Sequence, residues 1–267
     1  MDINQDSYLN IIDIVILVDI ILNPSTFGCN DLDAGNYDPS AIYNDGSCNY
    51  NFVIDIDGNV YNTIVINEQE WMAENLKASH YRNGDTIPSG LSESDWGNLN
   101  LTETGAFAIN DDNPSNADIY GNLYNWYAVN DERDICPEGW LVPSDEEWME
   151  IEIALGMSND EAHGWGYHGT NEGSKLAGNA DLWNNGNLEA DEEFESSGFM
   201  ALPAGFRSVF GNYWTTGDYC RLWSSSSVES ENYAAIGRAV NHDELAIFRA
   251  GFAKLSGYSV RCIKDSQ

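Results

Sequence analysis

The stretch CPEGWLVPSDEEWMEI, residues 136–151, carries the signal that decides the fold of most of the chain. Ser144 is followed three residues later by Glu147, the capping-box pattern that satisfies free backbone N–H groups at the start of a helix. Pro143 stands immediately before this start, and Gly156 is placed to end the helix. We therefore predict a helix that begins at Ser144 and ends before Gly156.

The apolar residues of this helix share one face. Trp148, Ile151 and Leu155 fall at positions i, i+3 and i+7, a spacing that directs all three side chains to the same side. This stripe predicts that the helix packs against a core. With 9 Trp, 14 Tyr and 9 Phe in 267 residues, the chain has enough large side chains to fill one.

Short strands are predicted on both sides of the helix. Residues 52–56 and 60–66 flank Asp57-Gly58, a two-residue hairpin signal. Residues 120–129, YGNLYNWYAV, predict a short aromatic helix. Other brief apolar runs, each typical of a short strand, are residues 198–206, 221–225, 233–237 and 258–263. Because no regular β-α-β alternation appears, the predicted fold class is α+β.

The chain is strongly acidic, and this restricts its partners. It contains 44 Asp and Glu against 11 Lys and Arg, a formal net charge of −33. Such a charge disfavours nucleic acids and anionic lipids, whose binding depends on Lys and Arg. It favours cations, above all Ca²⁺, which prefers carboxylate and amide oxygens. The apolar run at residues 11–22 is too short to span a bilayer and is interrupted by two aspartates.

Residues 2–13, DINQDSYLNIID, match the ligand spacing of a twelve-residue EF-hand-type loop. The loop has Ser7 where such loops usually carry glycine, and an apolar helix-like run follows it. Aspartate at the twelfth position resembles the dockerin form of this loop, and that resemblance implies a cohesin-like partner. The alternative is a solvated acidic terminus. The predicted Ca²⁺ ligands, with Tyr8 contributing its backbone carbonyl, are Asp2, Asn4, Asp6, Tyr8, Asn10 and Asp13.

The cysteines favour an oxidising compartment. The chain has five, without zinc-type spacing, so disulfides in an exported protein are expected. Cys29 and Cys48 bracket a segment too small to hold an apolar core, and we predict that they pair. Four aspartates in this segment either make turns or bind further calcium: Asp31, Asp33, Asp38 and Asp45.

Three segments are predicted: a dockerin-like calcium loop and helix at 1–24, a Cys-bracketed module or linker at 25–51, and a main domain at 52–267. No secretory signal is visible. The chain is therefore either cytoplasmic or the continuation of a longer polypeptide. The cysteines favour the second, and we expect an extracellular or cell-surface location.

Several motifs of the main domain occur in one order and resemble the Fibrobacter succinogenes major paralogous (FISUMP) domain. They are residues 55–77, 120–129, 136–151, 202–208, 222–227 and 257–265. Residues 140–148 also resemble a signature of the formylglycine-generating-enzyme group, which implies a C-type-lectin-like fold. The resemblance further implies a disulfide between Cys136 and Cys262, which leaves Cys220 as a free thiol.

The sequence contains no recognisable catalytic set. Formylglycine-generating enzymes use a close cysteine pair that holds copper, whereas Cys220 and Cys262 lie far apart in this sequence. His163 and His168 are candidate metal ligands, although their Gly and aromatic neighbours favour a surface loop. Because the chain has 44 Asp and Glu residues, some carboxylates will lie close together by chance, so a glycosidase-type pair cannot be recognised in the sequence. Enzymatic activity is therefore the weaker hypothesis.

A cluster of aromatic and arginine side chains is the predicted ligand surface. In C-type-lectin-like folds, loops before the last strands often carry ligand contacts, and such side chains suit glycans or peptides. The alternative is that Trp214 or Trp223 is a core residue. The candidates are Tyr213, Trp214, Tyr219, Arg221, Trp223 and Arg238.

Two functions follow from these observations. The favoured one is an exported, non-enzymatic binding or adhesion module that is attached through its calcium-binding dockerin-like element. The alternative is an extracellular enzyme, delivered by the same element, that acts on polysaccharide or on protein side chains.

Overall fold

The computed structural model describes residues 27–31, 37–48 and 51–266, together with Ile11, Ile14, Val15, Val18 and Ala34. Two compact units are present, Met1–Phe52 and Val53–Gln267. Short strands and a few short helices make up the described residues, which confirms the predicted α+β class. The finer division into segments 1–24, 25–51 and 52–267 stays a prediction.

The smaller unit contains one of the predicted disulfides. Its strands β1 (Phe27–Gly28) and β2 (Tyr43–Asn44) pair in parallel, and the Cys29–Cys48 bond closes the segment, as predicted. Asp38 Oδ1 accepts from the backbone N–H of Ser40, and Asp45 Oδ1 accepts from that of Ser47, so both aspartates form turns. Asp33 lies outside the described residues.

The predicted calcium loop, residues 2–13, lies outside the described residues except for Ile11. In the run predicted to follow it, the four described residues are helical: Ile11, Ile14, Val15 and Val18. All four are exposed.

The larger unit has two main sheets. The first is five-stranded, in the order β3-β4-β5-β15-β8: β3 (Phe52–Ile54), β4 (Val60–Ile66), β5 (Gln69–Met72), β15 (Ile263–Lys264) and β8 (Trp140–Leu141). The second is antiparallel, in the order β12-β13-β14-β9: β12 (Tyr219–Ser227), β13 (Ala234–Asn241), β14 (Glu244–Ala253) and β9 (Gly166–His168). Two separate pairs are β6 (Phe107–Ile109) with β7 (Asn122–Tyr124), and β10 (Phe206–Arg207) with β11 (Tyr213–Trp214).

Short helices connect these strands. They are α1 (Glu93–Asn98), α2 (Ser115–Tyr120), α3 (Trp126–Val129), α4 (Asp145–Ala154), α5 (Asn159–Ala162) and α6 (Glu172–Leu176). Single 3-10 turns are formed by Leu99–Leu101, Asn110–Asp112 and Ala180–Leu182.

Helix α4 begins as the sequence predicts. The Ser144 hydroxyl accepts from the Glu147 N–H at 3.2 Å, and the Glu147 carboxylate accepts from the Ser144 N–H at 2.6 Å. Trp148 and Ile151 are fully buried, whereas Leu155 at the C-terminal cap is half-buried. The capping box and the apolar stripe therefore both form.

The β3–β4 hairpin is also confirmed, and a carboxylate holds its turn. Asp55 Oδ1 accepts from the backbone N–H groups of Asp57 and Asn59, each at 2.9 Å. Gly58 has a φ of 83°, a conformation that costs glycine little.

The predicted helix over residues 120–129 is wrong in its first half. Residues Asn122–Tyr124 form β7, and only Trp126–Val129 are helical. The break falls at Asn125, whose Oδ1 accepts from the N–H groups of Ala106 and Ala128. The side chain thus caps the short helix and ties it to a distant segment.

A long-range disulfide joins Cys136 to Cys262, as the resemblance implied. It links the segment before β8 to the segment before β15. Cys220 is free and fully buried.

Candidate functional site

Strand β12 directs its side chains alternately to the two sides of the second sheet. Cys220 and Leu222 join the core cluster that contains Trp148. Tyr219 and Arg221 therefore project from the opposite side of the sheet.

Small residues on the neighbouring strand leave room around Arg221. Ala239 of β13 lies opposite Arg221, and the next residue across the sheet is Phe248 of β14, which pairs with Tyr167 of β9. The Tyr167 and Phe248 ring centroids are 4.9 Å apart, and Phe252 follows Phe248 at 6.3 Å. The strands thus assemble a row of aromatic rings beside one arginine.

The guanidinium of Arg221 lies among four aromatic rings. Its central carbon is 4.0 Å from the ring centroid of Phe206, 5.3 Å from that of Tyr219, and 5.5 Å from those of Phe252 and Tyr258. These are cation–π distances. Nη1 donates to the Tyr258 hydroxyl at 3.0 Å.

Arg221 has no acidic partner among the described residues. None of the ion pairs found there includes it, and its Nε is enclosed without a hydrogen-bond acceptor. Arg207 and Arg261 also lack carboxylates, but both are fully buried and donate to backbone carbonyls. Arg221 is only half-buried. It therefore presents a positive charge that the described residues do not neutralise.

An exposed tryptophan extends this surface. Trp214 of β11 lies directly opposite Phe206 of β10, so both side chains lie on the same side of the pair. Trp214 is 57% exposed. We use the term arginine face for the set Tyr167, Phe206, Trp214, Tyr219, Arg221, Phe248 and Phe252.

The structure keeps three of the predicted surface residues together and separates the rest. Trp214, Tyr219 and Arg221 lie on the arginine face. Tyr213 is half-buried, and its hydroxyl donates to the Asp112 carboxylate at 2.6 Å.

Trp223 and Arg238 are corrections to the predicted surface, because both are buried. Trp223 stacks on Tyr258 with ring centroids 4.5 Å apart and donates its indole N–H to the Tyr124 carbonyl. Arg238 lies on the other side of the sheet and contacts Asp145. The expectation that Trp214 or Trp223 is a core residue is correct for Trp223.

Sequence analysis missed four members of the arginine face. Phe248 and Phe252 lie on β14, a ten-residue strand that was not predicted, and their even spacing was the available signal. Tyr167 and Phe206 belong to strands of three and two residues, which are too short to give a pattern.

Cys220, His163 and His168, the three side chains considered in the sequence for catalysis or metal binding, have separate surroundings. Burial raises the pKa of the Cys220 thiol to about 12, so the thiol stays protonated at neutral pH. His163 Nδ1 lies 2.7 Å from the Asn159 carbonyl, whereas His168 Nε2 lies 3.2 Å from the buried Glu152 carboxylate. Within the described ranges, no group of three or more His, Cys, Asp and Glu residues is arranged to hold a metal ion.

A buried ionic network lies beneath the start of α4. Arg238 and Arg249 both donate to the Asp145 carboxylate, and Arg238 also donates to Glu152 at 2.5 Å. Burial alone would raise the pKa of Asp145, but its hydrogen bonds and the two positive charges hold this pKa below its ordinary value. The network fixes α4 against the second sheet.

The family model described as Fibrobacter succinogenes major domain matches residues 64–264, most of the chain. No curated protein and no solved structure matches the chain. Within the residues that the structure describes, no helix combines the length and the apolarity needed to cross a bilayer.

Proposed function

Because the chain belongs to the Fibrobacter succinogenes major domain family, we propose that its main domain is an exported, non-enzymatic module that binds an extracellular glycan through the arginine face. The location is supported by two disulfides, which persist mainly in oxidising compartments. A C-type-lectin-like fold is part of the proposal. It is supported by the signature at residues 140–148 and by the many short strands.

The observation that carries this proposal is the half-buried Arg221, which has no acidic partner among the residues that the structure describes. Aromatic rings pack against the apolar faces of sugar rings, and an arginine fork pairs with a carboxylate. The ligand chemistry that fits is therefore a glycan that contains uronic acid. The net charge of −33 repels an anion at long range, so binding has to come from these short-range contacts.

An immobilised panel of oligosaccharides with and without uronic acid tests the arginine face. We expect Trp214→Ala and Arg221→Lys each to weaken uronate binding about tenfold or more, because Lys lacks the planar guanidinium that stacks and forms paired hydrogen bonds. Trp165→Ala is the matched control, since Trp165 is also 57% exposed but contacts Arg249 instead. Equal uronate binding by all variants, or none by the wild type, would overturn the proposal. If the wild type bound a peptide and none of the oligosaccharides, the ligand of the arginine face would be a peptide and not a glycan.

The proposal includes attachment through a dockerin-like element that holds Ca²⁺ and a cohesin-like partner. It is supported by the oxygen ligands in register at residues 2–13 and by the exposed apolar residues that follow, spaced as on one helix face. We expect Ca²⁺ to raise the thermal unfolding midpoint of the wild type relative to EDTA, by mass action. The Asp2→Ala/Asp13→Ala variant should show no such rise. A wild type that does not respond to Ca²⁺ would remove the metal from the proposal.

The alternative function is an extracellular enzyme acting on polysaccharide or protein side chains. Incubation with the same oligosaccharides distinguishes the two. Release of reducing ends that one carboxylate substitution abolishes would establish catalysis in place of simple binding.

A further inference from the structure

A cavity lies on the side of the second sheet opposite the arginine face. Its volume is about 610 Å³, and it is lined by residues that include Trp165, Val228, Glu229, Ile236 and Glu146. Part of its wall comes from the serine run of the sequence, through Ser226 and Ser227. None of these residues belongs to the arginine face.

Trp165 is a fixed aromatic platform at this cavity. The guanidinium carbon of Arg249 lies 4.4 Å from its ring centroid and covers one side of the indole. Arg249 is itself held by the Asp145 carboxylate and donates to the carbonyls of His163 and Gly164 at 3.0 and 3.2 Å. The indole nevertheless remains 57% exposed. An exposed ring that is held from behind costs little conformational entropy when a ligand packs on it.

The rest of the cavity offers apolar contact and hydrogen-bond acceptors. Val228 and Ile236 supply apolar surface. Glu146 and Glu229 are exposed, and neither side-chain carboxylate forms a hydrogen bond or ion pair in the part of the chain that the structure describes. Carboxylates with free oxygens accept strongly from hydroxyl groups.

We propose that this cavity is a second carbohydrate site, which binds a neutral sugar ring stacked on Trp165 with its hydroxyls donating to Glu146 and Glu229. The apolar face of a sugar ring matches an exposed indole, and its hydroxyls match acidic acceptors. An anionic sugar is repelled by the same carboxylates. A cationic ligand gains little from the indole, because Arg249 already forms a cation–π interaction with that ring.

Titration with neutral hexasaccharides (maltohexaose, cellohexaose and xylohexaose) tests this site, with tryptophan fluorescence and calorimetry as readouts. We expect at least one to bind the wild type, and Trp165→Ala to weaken it about tenfold or more. Trp165→Phe retains an aromatic ring and should retain part of the affinity. The double variant Glu146→Gln/Glu229→Gln should also bind the hexasaccharide more weakly than the wild type does, since a neutral amide accepts less strongly than a carboxylate.

The matched control is Phe210→Ala, which removes another exposed aromatic side chain that belongs to neither site and should leave neutral-sugar binding unchanged. Thermal unfolding of each variant checks that the fold is intact. The proposal fails if none of the hexasaccharides binds, if Trp165→Ala binds as the wild type does, or if hexalysine binds the cavity in their place. Because uronate binding depends on Trp214 and neutral-sugar binding on Trp165, failure at one site is distinguishable from failure at the other.

Discussion

Asp145 is buried because two arginines surround its carboxylate. Arg238 and Arg249 reach it from adjacent strands of the second sheet, and Arg249 also supports Trp165. The first residue of α4 therefore links the core, the sheet and the cavity. Its local role at the start of a helix was readable from the sequence, whereas its arginine partners lie about a hundred positions downstream.

We expect Asp145→Asn to lower the free energy of unfolding by about 3–5 kcal/mol at neutral pH, because it leaves two buried arginines poorly compensated. Chemical denaturation measures this loss. Asp118→Asn is the control, since Asp118 forms only an exposed pair with Lys77 and should change stability by less than about 0.5 kcal/mol.

The pH dependence of the Asp145 contribution has a definite sign. Its folded pKa lies below the ordinary value of 3.8, so the stabilisation is complete above that value and is lost as the pH falls through the folded pKa. The stability difference between wild type and Asp145→Asn should therefore shrink in acid. A difference that stays constant from neutral pH to below pH 3 would contradict this role.

Among the helices and strands, the start of α4 could be predicted from the sequence, whereas β14 could not. Helix α4 starts through contacts between residues three positions apart, so its capping box is visible in the sequence. Strand β14 is ten residues long but contains a glycine, three alanines and Arg249, and its side chains pack on both sides of the sheet. Its strand character comes from pairing with β13 and β9.

We expect Ser144→Ala to destabilise the protein by about 1 kcal/mol, because the Glu147 N–H loses its acceptor at the start of α4. Ser115→Ala is the control: Ser115 is an exposed residue in the first turn of α2. Thermal or denaturant unfolding of both variants provides the measurement. Equal stability of the two would show that the capping box contributes nothing.

Over the whole molecule, the buried charges of the two signs balance, because four acidic side chains of the larger unit are buried as well as four arginines. The acidic ones are Asp55, Asp145, Glu152 and Glu172. The surface therefore keeps the full acidic excess. Four of the 11 basic side chains are buried in the larger unit: Arg207, Arg238, Arg249 and Arg261. Burial lowers the pKa of Arg261 to about 10, which still leaves it charged at neutral pH. Of the seven basic side chains that are not buried, five form ion pairs with acidic residues, whereas Arg221 and Lys254 form none within the described residues.

The Cys136–Cys262 bond is expected to make a large contribution to the stability of the larger unit. It closes a loop with a sequence separation of 126, which corresponds to about 5 kcal/mol on the loop-entropy relation. Cys136→Ser/Cys262→Ser should lower the free energy of unfolding by up to that amount, measured in guanidinium chloride. Cys29→Ser/Cys48→Ser is the control, because that pair lies in the smaller unit. If Cys29→Ser/Cys48→Ser destabilised the larger unit as much as Cys136→Ser/Cys262→Ser, the loss could not be attributed to the loop that Cys136–Cys262 closes.

Features that depend on residues close along the chain could be predicted from the sequence: the start of α4, the hairpin turn at Asp57-Gly58 and the Cys29–Cys48 bond. Motif order also placed the main domain in its family and implied the Cys136–Cys262 bond. Which aromatic and arginine side chains share a surface could be seen only in the folded chain. Trp214 is exposed and Trp223 is buried, although they are close in sequence and have the same chemistry. The physical reason is that the two residues lie on different strands, and Tyr258 and Phe252 pack against Trp223 whereas no described ring packs against Trp214. Burial therefore depends on what distant segments place over each side chain.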